Sequence, residues 1–368
     1  MNFIDLKKQY EILKKEIDSS IHNVLKDGNF IQGKQVKELE KLLSDYVGAK
    51  CVTCANGTDA LLVALRALGI TRGDEVIVPS FTWVSTAEVV KLVDATPIYA
   101  DIDEDTFNIS LEDIKSKITN KTKAIIPVSM FGRTCDIKKI TNFANENGIK
   151  VIEDSAQAFG SKNDGNISCS VAHISTTSFF PAKPLGCYGD GGAIFCTDPK
   201  LFETAAAITK HGQQGRYNYV EIGLNSRLDT IQAAVLIEKM KVYEDEIAQR
   251  NEVAKKYDES LHKISKIKLP EITDPSNRSV WAQYTILLDK DISQYREKIM
   301  GLLKEHEVPT ALYYPAPIHL QKPYFSDTKL EVTEDVANRV LSLPMHPYLD
   351  TESIEKISNA LNNVIESI

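Results

Sequence analysis

The chain has 368 residues, 43% of them hydrophobic and 26% charged, with a formal net charge of −8. That length exceeds one simple core, so one large and one smaller domain are expected within an ordinary globular composition. The acidic balance argues against a general nucleic-acid binder. No signal-type start and no membrane-length apolar run is present (Arg66 interrupts the longest), which points to a cytoplasmic protein with no membrane partner.

An amphipathic helix is expected over 5–26, with its packing partner left open, and a second helix over 36–46. Cys51-Val-Thr-Cys54 follows in a strand. Its spacing suits a redox or zinc pair, but no second Cys pair or His-x-x-x-His accompanies it, so small buried side chains are the better reading and no metal is expected. Helix 59–69 closes on Gly69. Strand-like runs lie at 75–79, 97–101, 124–129, 149–153, 174–179 and 192–196, with helical patterns at 86–93, 110–118 and 136–147 between them. This alternation predicts an α/β fold built on a mostly parallel sheet with buried strands. Beyond it, a long helix is expected from 229 to 247 and another to about 264. A connector follows at 266–279 with Pro270 and Pro275, then a strand at 281–288 and helices at 293–305 and 351–366. The large domain then covers 1–247 and a smaller C-terminal α/β domain 248–368.

Two residues carry the chemistry. Lys183, in Ser178-Phe-Phe-Pro-Ala-Lys183, is a lone lysine between an apolar stretch and a run of small residues; the strand before Ser155 ends in the carboxylate of Asp154. A lysine in a dry pocket loses its proton readily and forms a Schiff base, and a strand-end carboxylate keeps a pyridinium nitrogen protonated. Together they suggest pyridoxal 5′-phosphate chemistry. Asn56-Gly57-Thr58 stands where a strand passes into a helix, which suits a phosphate cup or, alternatively, an ordinary cap by Thr58 or Asp59. Ser178 is a further phosphate hydroxyl or a buried strand serine. Trp83 either stacks on a flat ring or belongs to the core. Gln157 reaches a ring hydroxyl or is a surface amide.

In order and spacing these segments resemble the DegT-type sugar aminotransferases, pyridoxal-phosphate enzymes of fold type I, over essentially the whole chain. The resemblance includes Phe3-Ile-Asp-Leu, Asn56-Gly-Thr-Asp-Ala-Leu61, Val151-Ile-Glu-Asp-Ser-Ala-Gln-Ala158, the Lys183 segment, Gly223-Leu-Asn-Ser-Arg-Leu-Asp-Thr-Ile-Gln-Ala-Ala234 and Leu341-Ser-Leu-Pro-Met-His-Pro347. It implies a seven-stranded-type sheet, Lys183 as the Schiff-base lysine and Asp154 on the pyridine nitrogen. It also implies Gln157 on the ring oxygen, Trp83 on the ring face, and Gly57, Thr58 and Ser178 on the phosphate. Asn225 is implied to reach the neighbouring subunit's phosphate, which makes a homodimer with shared active sites.

The resemblance further implies L-glutamate as amino donor and a nucleotide-linked 3-keto-2-acetamido sugar, UDP-linked, as acceptor, for surface polysaccharide, lipopolysaccharide or lipid A. Arg227, Tyr217, Tyr313, Tyr314 and His319 are its candidate substrate contacts; a dimer salt bridge is the other reading of Arg227. Similar enzymes for the 3-keto uronic acid carry histidine where this chain has Tyr313. That departure turns the expectation toward a neutral 3-keto UDP-N-acetylglucosamine or a dTDP-3-keto-6-deoxyhexose. A 4-keto sugar aminotransferase is a further alternative. A dehydratase on the same fold typically carries histidine at the lysine position, which Lys183 opposes. A non-catalytic cofactor-binding regulator would not need Lys183, Asp154 and Gln157 intact.

Overall fold

The computed structural model describes residues 1–368 except Thr273 and Pro275. Pro275 of the expected connector therefore lies outside the described residues. The chain opens with α1 (Leu6–Asp27), started by the Asp5 carboxylate, which accepts from the Lys8 N–H, and stopped by Gly28 at φ 66°. Next come α2 (Lys34–Val47), β1 (Lys50–Cys54), α3 (Gly57–Ala67), β2 (Glu75–Pro79), α4 (Ser85–Leu92) and β3 (Thr96–Ala100). Then follow α5 (Leu111–Lys117), β4 (Thr122–Ile125), α6 (Ile137–Glu146) and β5 (Lys150–Asp154). A short hairpin, β6 (Lys162–Asn163) and β7 (Asn166–Ile167), leads to β8 (Ile174–Ser178), β9 (Gly192–Cys196), α7 (Pro199–Ile208), α8 (Thr230–Met240) and α9 (Tyr243–Leu261). The remainder holds β10 (Ile267–Lys268), β11 (Tyr284–Leu288), α10 (Arg296–Glu305), α11 (Glu331–Arg339), β12 (Val340–Leu343) and α12 (Thr351–Glu366).

Seven strands form one sheet in the order β1-β9-β8-β5-β4-β2-β3. β3, β2, β4, β5 and β8 are parallel, and β9 is antiparallel to both its neighbours, β8 and β1. The expected α/β class with a mostly parallel sheet is what the chain adopts. One face buries Val52, Leu61, Val78 and Ile152, and the other buries Ile77, Ile114, Ile125 and Val151. Covered faces explain why these strands read as near-continuous apolar runs. The topology brings the C-terminal ends of β1, β2, β5 and β8 to one edge, where open α/β sheets bind ligands.

A second sheet, β10-β11-β12, is antiparallel. α9 joins the two regions: Tyr243 and Ile247 pack with the large-sheet residues, while Val253, Tyr257 and Leu261 pack with Tyr284, Leu341 and Leu361. α1 packs on α8 through Leu13, Ile17 and Val235.

Some expectations change. The single helix over 229–247 is two, because the chain turns at Lys241 and Val242, whose N–H groups bond back to Glu238 and Lys239. No glycine or proline marks that turn; packing of α8 and α9 against different neighbours makes it. The strand over 124–129 ends early at Ile125, since Pro127 donates no hydrogen bond. α7, α11 and β12 were not expected. Cys51 and Cys54 are buried within β1, and among the described residues no helix is long and apolar enough to cross a membrane.

Candidate active site

Adjacency of β5 and β8 assembles the centre. Asp154, the last residue of β5, pairs in register with Thr176 in the middle of β8, which runs on two residues further to Ser178. β8 and β9 are antiparallel neighbours closing at Ser178↔Gly192, and Lys183 stands on the loop between them. Asp154 is buried and its Oδ1 accepts from the Ala156 N–H at 3.0 Å. Burial raises its pKa, opposed by the Ala156 N–H and by the charge of Lys183. Lys183 is affected in the opposite sense: burial lowers its pKa and Asp154 works against that. The amine is thus biased toward its neutral, nucleophilic form.

The turn after β1 packs against both strands of that hairpin. Asn56 caps α3, its Oδ1 accepting from the Asp59 N–H at 2.8 Å, so the cap is neither Thr58 nor Asp59. A Cβ on Gly57 would come within 2.8 Å of the Ser178 Cβ, and one on Gly192 within 2.6 Å of the Asn56 carbonyl. Glycine is required at both places by closeness alone. Thr58 Oγ1 lies 2.7 Å from Ser85 Oγ, at the start of α4. Gly57, Thr58 and Ser178 are therefore together, beside free N–H groups of a helix start.

Trp83 follows β2 and is 60% exposed, which removes the core reading. Its ring lies 6.1 Å from that of Tyr314. Gln157 is buried, not a surface amide. Its Oε1 accepts from the Phe131 N–H at 2.9 Å and its Nε2 donates to the Tyr314 hydroxyl at 3.0 Å, so the amide is fixed in one orientation. Burial, with the Asp154 charge next, raises the Tyr314 pKa. Tyr313 is half-buried, 6.3 Å from the Phe3 ring.

Asn225 is exposed, and its neighbour Ser226 accepts from the Ala55 N–H at 3.2 Å, which ties this segment to the β1–α3 turn. Arg227 lines an open depression with Gln32, Lys210, His211 and Arg216, and forms no salt bridge among the described residues. Tyr217 is 73% exposed beside it, the Arg216 guanidinium over its ring at 5.2 Å. His319 is 0% exposed, with Nδ1 2.7 Å from Ser80 Oγ and Nε2 3.4 Å from Glu334 Oε1. Both ring nitrogens are engaged inside the protein, so it fastens its segment to the end of β2 and, as placed, offers no free ring nitrogen to a substrate.

Residues 11–362 match the DegT/DnrJ/EryC1/StrS aminotransferase family. The chain belongs to that family. It is 50% identical to a UDP-2-acetamido-2-deoxy-3-oxo-D-glucuronate aminotransferase of Pseudomonas aeruginosa, across 99% of this chain and 100% of the relative. It is 38% identical to a UDP-N-acetyl-3-dehydro-alpha-D-glucosamine 3-aminotransferase of Acidithiobacillus ferrooxidans, across 98% and 97% of the two chains. Among solved structures, NtdA of Bacillus subtilis with bound cofactor PMP superposes with a TM-score of 0.93 at 31% identity, covering 100% of this chain and 85% of that one. The expectation of a pyridoxal-phosphate aminotransferase of the DegT family is borne out.

Within this DegT-type site, sequence reasoning missed four residues. Phe131, whose backbone N–H orients Gln157, has φ 54°, and nothing in Met130-Phe-Gly announces that. Ser85 was passed over although Thr82-Trp-Val-Ser-Thr carries hydroxyls on both sides of Trp83. Lys210 and Gln32 reach the Arg227 depression from distant segments, without a local signal.

Proposed function

We propose that this protein transfers the amino group of L-glutamate to the 3-keto carbon of a UDP-linked 2-acetamido sugar, in the cytoplasm, for surface-glycan synthesis. The observation that carries it is Asp154 at the end of β5 with Lys183 on the loop that follows the adjacent parallel strand β8, each acting on the other's charge, and the Gly57–Ser178 cup beside them. These residues suit pyridoxal phosphate: the cup takes an anion, Trp83 offers an exposed flat face, and Asp154 is a buried carboxylate at the far end. When bound, that cofactor supplies a ring that accepts the electron pair left as a Cα–H bond breaks.

The chain's own groups do the rest. Gly57, Thr58 and Ser178 would hold the phosphate, and Asp154 would hold a proton at the ring nitrogen. Gln157, its oxygen taken by Phe131, has an N–H to give the ring oxygen. Lys183, with its basicity lowered by burial, would anchor the aldehyde carbon and, once displaced by the donor's amine, would be the free base that moves the proton at Cα, then one back in the sugar half of the cycle. Arg227, with Lys210 and Arg216, offers cations to a diphosphate; Tyr217, Tyr313 and Tyr314 complete the substrate side. Exposed Asn225, Trp83, Phe180 and Ile222 support a homodimer in which Asn225 completes the neighbour's phosphate site. The chain divides within α9 into units 1–247 and 248–368.

Both relatives named above share the UDP, acetamido and 3-oxo groups and differ in carrying a uronate or a neutral sugar. The test is amination of each 3-oxo sugar by the purified protein with glutamate, read by mass. Failure on both, with 4-keto or dTDP sugars aminated instead, would refute the substrate assignment. For the shared site, Lys183→Ala and Asn225→Ala chains are mixed; hybrid dimers no more active than the parents' average refute it.

A further inference from the structure

Outside the site just described, Lys239 on α8 is a buried cation: it is 1% exposed and forms no salt bridge among the described residues. Its Nζ donates to the Gly186 carbonyl at 2.6 Å and lies 4.4 Å from the centroid of the Tyr188 ring. Burial pushes its pKa down to about 8, opposed by the Glu246 carboxylate on α9 and by Cys187. A lysine so placed is costly to bury, and an apolar residue would fill the same volume more cheaply.

What it holds gives the reason. Two turns earlier on the same helix face, Gln232 accepts from the Tyr188 N–H at 2.8 Å and donates to the Tyr188 carbonyl at 3.2 Å. Gly186 and Tyr188 form the returning arm of the loop that carries Lys183. The outgoing arm lies directly against it. Cys187 N–H donates to the Phe179 carbonyl at 2.8 Å, and a Cβ on Gly186 would meet the Pro181 carbonyl at 2.5 Å. The Lys183 N–H in turn donates to the Phe180 carbonyl at 2.9 Å. Whatever fastens the returning arm therefore fastens the turn bearing Lys183. A charge-assisted bond to a carbonyl and a cation over a ring are strong ways to do so.

We propose that Lys239 is a positioning residue for Lys183: together with Gln232 it clamps the returning arm to α8 and sets where the Lys183 amine stands relative to Asp154. This rests on the reading of Lys183 as the residue that holds the cofactor.

The experiment compares full-length wild type, Lys239→Met and Gln232→Leu, all loaded with pyridoxal phosphate. Borohydride reduction and peptide mapping come first. Wild type without cofactor fixed on Lys183 overturns the reading of Lys183, and the proposal with it. Lys239→Met should keep the mark on Lys183 but shift the pH midpoint of the bound cofactor's visible absorption, because the Lys183 nitrogen no longer stands at its set place relative to Asp154, whose charge acts on it. Its kcat should fall about tenfold with KM for glutamate within about twofold. Gln232→Leu loosens the same arm without removing a charge, so kcat should fall and the midpoint should move with it. It also decides the matter alone if Lys239→Met does not fold. A lower melting temperature with midpoint and kcat unchanged would make Lys239 a core residue only and refute the proposal.

Discussion

Gly57→Ala tests the proposed phosphate cup by sterics alone. The new methyl would sit 2.8 Å from the Ser178 Cβ, where ordinary contact begins at 3.4 Å, so either α3 or the end of β8 must move by at least the difference. Neither moves freely, because Asn56 caps α3 and abuts Gly192, while Ser178 pairs with Gly192 in the sheet. Overpacking of this kind costs about 1–3 kcal/mol. If the shift falls on the cup, pyridoxal phosphate should bind roughly 5- to 150-fold more weakly. The assay is titration of cofactor-free protein, followed by absorbance, with a melting curve beside it. Ser178→Gly in the same chain removes the clashing Cβ along with its hydroxyl. That double variant should recover melting temperature yet still bind the cofactor more weakly than wild type. Cofactor affinity for Gly57→Ala within twofold of wild type, with no change in melting, would show that Gly57 and Ser178 do not form the cup.

Other outcomes follow from the same geometry. Asp154→Asn should retain cofactor but lower kcat by about 100-fold or more, since the ring nitrogen loses its proton partner; near-normal turnover would refute the role. His346 is held to a pKa of about 4 by burial first and the Arg250 charge second, against 6.5 for a free histidine. A base with a depressed folded pKa contributes stability present above pH 6.5 and lost as pH falls toward 4, up to about 3 kcal/mol. Wild type should therefore lose more stability than His346→Asn between those limits in urea unfolding, and parallel losses would refute the assignment.

The centre of the site was legible because its parts are local. Asp154 ends an apolar strand, Lys183 stands alone among small residues, and Asn56-Gly57-Thr58 sits at a strand–helix change. Contacts joining distant segments were not. His319 looked available for a substrate because nothing near it in sequence reveals Ser80 and Glu334 on its two nitrogens. Gln157 and Tyr314 were each singled out, but their bond was not, since the C-terminal region must fold back over the large sheet to make it. The break between α8 and α9 lacks a glycine or proline, and Val242 alone is too weak a signal, so only tertiary packing could show it. α7 did have a signal, Asp198-Pro199, with the Asp198 carboxylate accepting from the Lys200 N–H, and it was overlooked.

The lone antiparallel strand of the large sheet has a bearing on synthesis. β9 lies between β1, made among the first elements, and β8, made just before it. Until β9 inserts, Gly192 is not against Asn56, and the Lys183 loop has no second anchor. A nascent chain lacking β9 thus has every strand of the parallel core and the proposed cup residues Gly57, Thr58 and Ser178, but not the strand that backs them. If the proposed cup needs that backing, cofactor capture by stalled chains of increasing length should switch on only after β9 has left the ribosome, and capture by shorter chains would refute it.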